Sequence, residues 1–351
     1  MTQTLTTRPA RRQPDLTRRR LLALAAATVV LLVVLAASLA LGARDIPLGT
    51  VVEALTNRVP SDNDHNVVLD QRLPRTVTGL LVGAALGLAG TVMQGVTRNP
   101  LADPGLLGIN AGASLAVVLA ITGLGITSPS GYVWFAFAGA AAAMVVVYGI
   151  GSTGRSGTTP VKLALVGTAL TAGITSVLTL LLLGSTSATN TYRFWAVGSL
   201  AGRGSGTGAD VVLTLLPFLA AGATLALLSG RALNLLSMGE DLARGLGLNI
   251  RRSRLFAVLA AVLLAGAATA LAGPVVFIGL VVPHIVRPLT GPDYRWILAF
   301  AVVVGPALLL VADVIGRLVA PPGELEVGLV VALVGAPVMI AIVRRSRQAG
   351  L

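Results

Sequence analysis

Long uncharged stretches follow one another along almost the whole chain, and they constrain its fold more than any other feature. Nine of these runs are long enough to cross a bilayer, for which a helix needs about 20 apolar residues. The longest run, 255–286, contains Gly273-Pro274, and proline breaks a helix because it lacks a backbone N–H and clashes with the preceding turn. It therefore predicts two spans. Ten spans are predicted in all, at 21–42, 76–97, 104–127, 131–151, 163–184, 211–229, 255–272, 274–287, 296–312 and 327–343.

The composition indicates that lipid, not water, surrounds most of the chain. Charged residues make up 11% and hydrophobic residues 55% of the sequence, whereas a soluble domain is about 25% charged. The net charge of +12 does not indicate a nucleic-acid partner, because the arginines cluster beside apolar runs. The lack of cysteine excludes thiolate metal sites, and 2 histidines are too few for a histidine cage. We expect no metal site and no catalytic residue.

The distribution of basic residues predicts the orientation. With both termini in the cytoplasm, 19 of the 26 lysine and arginine residues lie inside and 7 lie outside, in agreement with the positive-inside rule. Nine or eleven spans would leave a basic terminus outside. The first run is 22 residues long, longer than a signal-peptide core of about 7–15 residues, so we expect a retained span. The predicted parts are a basic cytoplasmic tail (1–20), a membrane domain (21–345) and a second cytoplasmic tail (346–351).

Two polar stretches interrupt the predicted membrane domain most visibly. One is an acidic outer loop, 43–75, and the other is an inner loop, 231–249. The inner loop carries leucines at nearly helical spacing, which predicts one amphipathic helix of three or four turns. This helix either lies among the lipid headgroups or docks into a groove on a cytoplasmic partner. The leucines are Leu233, Leu236, Leu242 and Leu246.

Three arginines, Arg72, Arg75 and Arg317, stand at predicted outer ends of spans. Arginine offers a planar fork that pairs with a carboxylate through two hydrogen bonds, so these side chains suit an acidic partner outside the membrane. Two other interpretations stay open. The side chains could reach toward the headgroups, or Arg317 could pair with Asp313, four residues earlier on the same helix.

Four threonines in the fifth predicted span share one helix face, because they are spaced by three and four residues. Their hydroxyls could bond the carbonyl four residues earlier or pack between helices. The alternative is that this face lines a wet passage. The threonines are Thr168, Thr171, Thr175 and Thr179.

Two other classes of membrane protein fit the sequence less well. An ion-coupled transporter usually places ionisable groups near the membrane midplane, and the one candidate here, Asp313, stands near an outer end. An intramembrane enzyme would need a serine–lysine, paired-aspartate or His–Glu arrangement, and none is evident. The energy for any transport is therefore expected to come from outside this chain.

Several blocks of sequence, in order, resemble the FecCD family, whose members are permease subunits of ATP-driven importers for iron-siderophores, haem and cobalamin. The resemblance runs from about residue 72 to 338 and departs at Val327, where proline is common. It implies an all-α polytopic membrane protein with about ten transmembrane helices in the inverted-repeat fold of type II ABC importers. The blocks are Arg72-Leu-Pro-Arg75, Gly239-Glu240-x-x-Ala243-x-x-x-Gly247, Ala272–Arg287, Ala312-Asp-Val-Ile-Gly-Arg317 and Gly323–Pro337.

The resemblance also implies roles for single residues. Arg72, Arg75 and Arg317 would meet acidic side chains of an extracytoplasmic binding protein. The threonine face would line the translocation path, and Thr159 with Pro160 would belong to its inner gate. The residues that would couple the inner loop to an ATPase are Gly239, Glu240, Ala243, Leu246 and Gly247.

The partners follow from the same resemblance. They are two copies of a cytoplasmic ATPase, a second permease that is identical or homologous, and an extracytoplasmic substrate-binding (lipo)protein in a bacterial cell membrane. The chain contains no G-x-x-x-x-G-K-[ST] phosphate loop, so the ATPase that binds ATP and Mg is a separate chain. This chain would need no cofactor and would not be an enzyme. The expected cargo is a ferric siderophore, with haem and cobalamin as alternatives.

Overall fold

The computed structural model describes residues 16–153, 159–201, 207–320 and 323–348. Most of the predicted tail 1–20 and positions 349–351 lie outside these residues. All regular structure in the described part is helical, including a π-helical stretch, Val67–Arg72, and a 3-10 helix, Pro104–Leu107. The α-helices are α1 (Leu16–Ala40), α2 (Leu48–Thr56), α3 (Asn63–Asn66), α4 (Leu73–Thr97), α5 (Ile109–Leu124), α6 (Pro129–Gly151), α7 (Pro160–Leu183), α8 (Thr186–Ala196), α9 (Thr207–Leu228), α10 (Gly230–Ser237), α11 (Glu240–Gly245), α12 (Ile250–Ala272), α13 (Ile278–Thr290), α14 (Tyr294–Val319) and α15 (Val327–Gln348).

Each of the ten predicted spans coincides with a helix, and the all-helical membrane fold is confirmed. Among the described residues, 7 helices are long and apolar enough to cross a membrane, and three shorter apolar helices occupy the remaining predicted positions. The break at Gly273-Pro274 is present, since Gly273 has φ 74 and the next helix begins at Ile278. The first helix starts at Leu16 and the last runs to Gln348, so both extend beyond the predicted limits of the membrane domain.

The outer stretch 43–75 is mostly helical, and its prediction as a loop is wrong. After α2, helix runs without interruption from Asn63 to Thr97. The Asp62 carboxylate accepts a hydrogen bond from the Asp64 N–H at 2.8 Å and so caps the first turn. Acidic side chains are compatible with a helix that leaves the lipid, and α4 is therefore the continuation of a longer helix that begins at Asn63.

The inner loop 231–249 contains two short helices, α10 and α11, where a single helix of three or four turns was predicted. Gly239 separates them because its φ of 112 is incompatible with a helix. Two leucines of α10 are buried, whereas Leu242 and Leu246 are exposed around α11. The break thus separates α11, with exposed apolar side chains around it, from the packed α10.

Helix α4 lies at the centre of the bundle, and glycines let its neighbours approach closely. A Cβ placed on Gly90 would lie 1.9 Å from the carbonyl oxygen of Gly279 in α13. One placed on Gly83 would lie 2.5 Å from Cα of Pro306 in α14. Small residues at such crossings allow direct backbone packing, which replaces the hydrophobic driving force that lipid does not provide.

Helices α1 and α7 lie at the edge of the bundle. Only 11% of the apolar stretch of α1 and 6% of that of α7 is buried within the described chain. Most of α7 is therefore available to lipid or to another subunit.

The close crossing at Gly90 predicts a position-specific loss of stability. Gly90→Ala should destabilise the chain by about 1–3 kcal/mol, because the added methyl overlaps the α13 backbone. Gly123→Ala in α5 is the control, since nothing lies within 4 Å of its added Cβ. Thermal unfolding of the purified protein in detergent measures both. Equal midpoints for the two variants would contradict the packing of α4 on α13.

Candidate functional site

The predicted outer end of the bundle holds a cluster of charges, here called the outer arginine cluster, formed by four buried residues, Arg72, Arg75, Asp313 and Arg317, and by the exposed Glu324. Arg75 donates hydrogen bonds to the Asp313 carboxylate from Nε at 3.0 Å and from Nη2 at 2.8 Å. Its Nη1 lies 2.5 Å from Glu324 Oε2. Arg317 Nη2 lies 3.1 Å from the other Asp313 oxygen. Asp313 is fully buried, so two guanidinium groups neutralise one carboxylate away from water.

The other donors of this cluster hold the end of α1. Arg317 Nη1 donates to the carbonyl oxygens of Ser38 and Leu41, both at 2.9 Å. Arg72 Nη1 donates to the carbonyls of Leu39 and Ala40 at 2.8 and 2.6 Å. The last carbonyls of a helix have no partner within the helix and carry partial negative charge. The two arginines therefore cap α1 and fasten it to α4 and α14.

This geometry bears on the predicted docking role of the three arginines. Arg72, Arg75 and Arg317 are 6%, 8% and 2% exposed, and each already has acceptors within its own chain. The pairing of Arg317 with Asp313 that the sequence left open is present. The three side chains line a cavity of about 470 Å³, so a partner's carboxylate would have to enter that cavity to reach them. Docking stays a prediction.

The threonine face of α7 is exposed in the single chain, at Thr168, Thr175 and Thr179, and half-buried at Thr171. Each hydroxyl donates to the carbonyl four residues earlier, at 2.7–3.0 Å. The threonine hydroxyls are therefore bonded to their own helix even though the face that carries them is exposed. That this face lines a path stays a prediction.

The two predicted gate residues form the start of α7. The Thr159 hydroxyl accepts a hydrogen bond from the Lys162 N–H at 3.3 Å, as an N-cap does. Pro160 takes the first helical position, where its missing N–H costs nothing. These residues set where α7 begins.

The predicted coupling residues lie together on one short exposed segment, α11 with its flanking glycines, here called the coupling segment (Gly239–Gly247). Gly239 and Gly247 both have positive φ and open space around them. At the far end, Gly247 N–H bonds Arg244 O and Leu248 N–H bonds Ala243 O, both at 2.9 Å. This pair of bonds is the Schellman ending of a helix. Within the segment, the side chain of Ala243 is buried and that of Leu246 is exposed.

Glu240 is the residue of the coupling segment that forms ion pairs with α4 and α12. Its Oε1 lies 2.5 Å from Arg254 Nη2 in α12 and 3.5 Å from Arg98 Nη2 at the end of α4, and Oε2 lies 3.4 Å from Arg244. Burial acts to raise the pKa of the Glu240 carboxyl, but the hydrogen bond from Arg254 and the three positive charges outweigh it and hold the pKa below its ordinary value.

One cavity lies between the coupling segment and the start of α7. Its volume is about 710 Å³, and Glu240, Arg244, Tyr148 and Thr159 are among the residues that line it. One predicted coupling residue, Glu240, and one predicted gate residue, Thr159, therefore border the same space.

Sequence reasoning missed part of this site. It did not find Glu324, the capping of α1, or the inward direction of Glu240. The ion pair of Asp313 with Arg317 could be anticipated, because the two residues are four positions apart on one helix. Arg75 and Asp313 are 238 residues apart, so nothing local in the sequence indicates their contact.

The sequence model of the FecCD transport family matches residues 30–345. The ferric enterobactin transport system permease protein FepD of Escherichia coli is 49% identical over 318 residues, which cover 90% of this chain and 92% of FepD. The hemin transport system permease protein HmuU of Yersinia pestis is 36% identical over 90% of this chain and 94% of HmuU. A solved metal-chelate type ABC transporter in an inward-facing conformation matches with TM-score 0.79 and 26% identity, covering 93% of this chain and 99% of that one.

Neutralising the buried carboxylate of Asp313 should lower the free energy of unfolding far more than neutralising the exposed carboxylate of Asp70. Asp313→Asn removes the carboxylate that pairs with Arg317 and leaves Arg75 with Glu324 alone, so we expect a loss of about 3–5 kcal/mol in the free energy of unfolding. Asp70→Asn is the control, since Asp70 is about half-exposed and pairs with Arg58 at 2.9 Å, and should cost at most about 1 kcal/mol. Unfolding of the purified chain by detergent titration measures both, and similar costs would contradict the cluster.

The ion pairs of Glu240 predict a pH dependence of the coupling segment. The pKa of the Glu240 carboxyl in the folded chain lies below its ordinary value. The stabilisation from its ion pairs is therefore complete above the pKa of the unfolded chain and is lost as pH falls through the pKa of the folded chain. Hydrogen exchange of the α11 amides, corrected for intrinsic rates, should show protection at neutral pH that declines in acid. Glu240→Gln should show weak protection at both pH values. A parent profile that does not change with pH would contradict this assignment.

Proposed function

The chain belongs to the FecCD transport family, and from this premise we propose that it is the transmembrane permease subunit of an ATP-driven importer for a ferric siderophore. The observation that carries the proposal is the near full-length identity of 49% to a ferric enterobactin permease. The geometry supports it, because the predicted coupling segment and the predicted gate border one cavity.

The ATPase partner would dock on the coupling segment. Leu242 and Leu246 are exposed there on a helix that its two flanking glycines set apart, which suits insertion into an apolar groove. Two copies of the ATPase, each with ATP and Mg, would serve a pair of permeases. This chain would then bind neither nucleotide nor metal, and it would not be an enzyme.

A second permease, identical or homologous, would cover α7. This helix is the least buried of the long apolar helices in the described residues, and its exposed face carries the threonine hydroxyls together with apolar side chains. Two such faces opposite each other would enclose a path with polar groups along it. The bulky chelate would be held weakly in a wide path, so transport would not need a tight site.

An extracytoplasmic binding protein, anchored as a lipoprotein or free, would deliver the chelate at the outer arginine cluster. Its carboxylates would enter the cavity that Arg72, Arg75 and Arg317 line. Positive charge around this opening would steer an acidic partner in a salt-dependent way. The chain would lie in a bacterial cell membrane with both termini in the cytoplasm.

The proposed mechanism uses ATP to switch which end of the path is open. When two ATPase subunits close on ATP, they move the coupling segments, and the inner ends of the α7 helices respond. The nucleotide shifts the population between two arrangements, which requires that the ATPase bind them with different affinity.

The cargo can be tested directly in cells. Uptake of ⁵⁵Fe-labelled ferric enterobactin should require this chain and fall to background when its gene is deleted. Labelled haem and cobalamin are measured in parallel, because a hemin permease is also among the relatives. Loss of haem or cobalamin uptake with unchanged iron-siderophore uptake would overturn the proposed cargo.

ATPase docking predicts the effect of one surface substitution. Leu246→Arg places a charge on the exposed apolar face of the coupling segment and should abolish co-purification of the ATPase. Ser237→Arg is the control, because it adds the same charge at an exposed position of the neighbouring α10. If the ATPase still co-purifies with Leu246→Arg, the coupling segment is not its docking site.

A further inference from the structure

Glu240 is the one predicted coupling residue whose charged group is directed back into this chain. We propose that Glu240 is a positioning residue that clamps the coupling segment to α4 and α12, so that movement of the segment is transmitted to α7. It is not a contact for the ATPase. This inference rests on the proposed function, since it assumes that an ATPase moves the coupling segment.

The strongest attachment is to α12. Arg254 reaches Glu240 Oε1 at 2.5 Å, and its side chain is only 8% exposed. A charge-assisted hydrogen bond of this length from a buried guanidinium is among the stronger polar contacts in proteins. Glu240 is 27% exposed, whereas the neighbouring Asp241 is 100% exposed. Of these two adjacent carboxylates, Glu240 is the one that is held against other helices of this chain, whereas Asp241 pairs within α11, with Arg244.

The second attachment is to the end of α4. Arg98 lies 3.5 Å from Glu240 and stands at the C-cap of α4 with φ 50. Its left-handed backbone ends α4 and begins the turn toward α5. A displacement of Glu240 therefore pulls on the residue at which α4 changes direction.

The connection after Arg98 is short and internally bonded. Asn99 accepts hydrogen bonds from Leu101 N–H through its side chain at 2.9 Å and from Ala102 N–H through its carbonyl at 3.1 Å. The Asp103 carboxylate accepts from Gly105 N–H at 2.8 Å, which caps the 3-10 helix. Such local bonds make the connection suited to move as a unit.

The connection reaches the threonine-bearing helix at Gly108, just after the 3-10 helix. Gly108 has φ 78, and a Cβ placed on it would lie 3.6 Å from Thr171 Oγ1 and 3.8 Å from the Gly167 carbonyl. The 3-10 helix and α5, which Gly108 joins, both pack against α7, so the connection that begins at Arg98 leads from the coupling segment to α7. Coupling between distant sites can use such a path, but only measurement shows that it does.

The chain has no cysteine, so Thr168→Cys introduces a single reporter thiol on the exposed face of α7. The experiment uses the complete permease–ATPase complex in proteoliposomes. The rate at which a water-soluble maleimide modifies the introduced thiol is measured with ADP and with ATP plus vanadate. Co-purified ATPase is quantified for every variant.

With the reporter alone, the modification rate should differ between the two nucleotide states. Glu240→Gln should abolish this difference while the ATPase stays bound. Asp241→Asn, an equivalent loss of charge on the same helix, should leave the difference unchanged. Arg98→Gln should reduce the difference, and because Arg98 is largely solvent-exposed this variant is not expected to impair folding.

Three results would overturn the clamp. A nucleotide response that survives in both Glu240→Gln and Arg98→Gln shows that the signal does not pass through Glu240. Loss of the ATPase from Glu240→Gln but not from Asp241→Asn shows that Glu240 is itself an ATPase contact. A reporter protein that binds no ATPase contradicts the proposed function, and the clamp with it.

Discussion

In lipid a peptide group has no water to bond, so each backbone polar group has to be satisfied by the protein itself. The described chain meets this constraint with helices throughout. Where α1 ends, Arg72 and Arg317 supply donors to the carbonyls that the helix leaves without partners. Arg317 also pairs with Asp313, a carboxylate that it shares with Arg75. The capping of one helix thus explains why Arg72 and Arg317 are buried in an apolar protein.

The two ends of the bundle use charge in different ways. At the outer end, arginines and carboxylates fix helices to one another around a cavity. At the inner end, Glu240 links a short, glycine-bounded segment to the ends of α4 and α12. The first arrangement borders a cavity of about 470 Å³. The second joins an exposed segment to the helices beneath it, as the proposed conversion of ATPase movement into opening of a path would require.

The helices themselves could be predicted well from the sequence, because apolar length and the Gly273-Pro274 break depend on local chemistry. The acidic residues before α4 predict a loop, whereas the structure continues the helix back to Asn63. The division of the inner loop was also missed, although Gly239 gave a local signal for it. The partners of Arg75 could not be predicted, because Asp313 is 238 residues away and the contact depends on how the whole bundle packs. The family resemblance selected the coupling residues but could not show that Glu240 faces inward.

Reconstitution tests the central claim, that this chain forms a path powered by a separate ATPase. The permease and its ATPase are placed in proteoliposomes with a binding protein loaded with ⁵⁵Fe-enterobactin, and transported iron is measured with ATP, with a non-hydrolysable analogue, and with an imposed proton or sodium gradient. The account predicts transport with hydrolysable ATP alone. Transport driven by an ion gradient without ATP would contradict it.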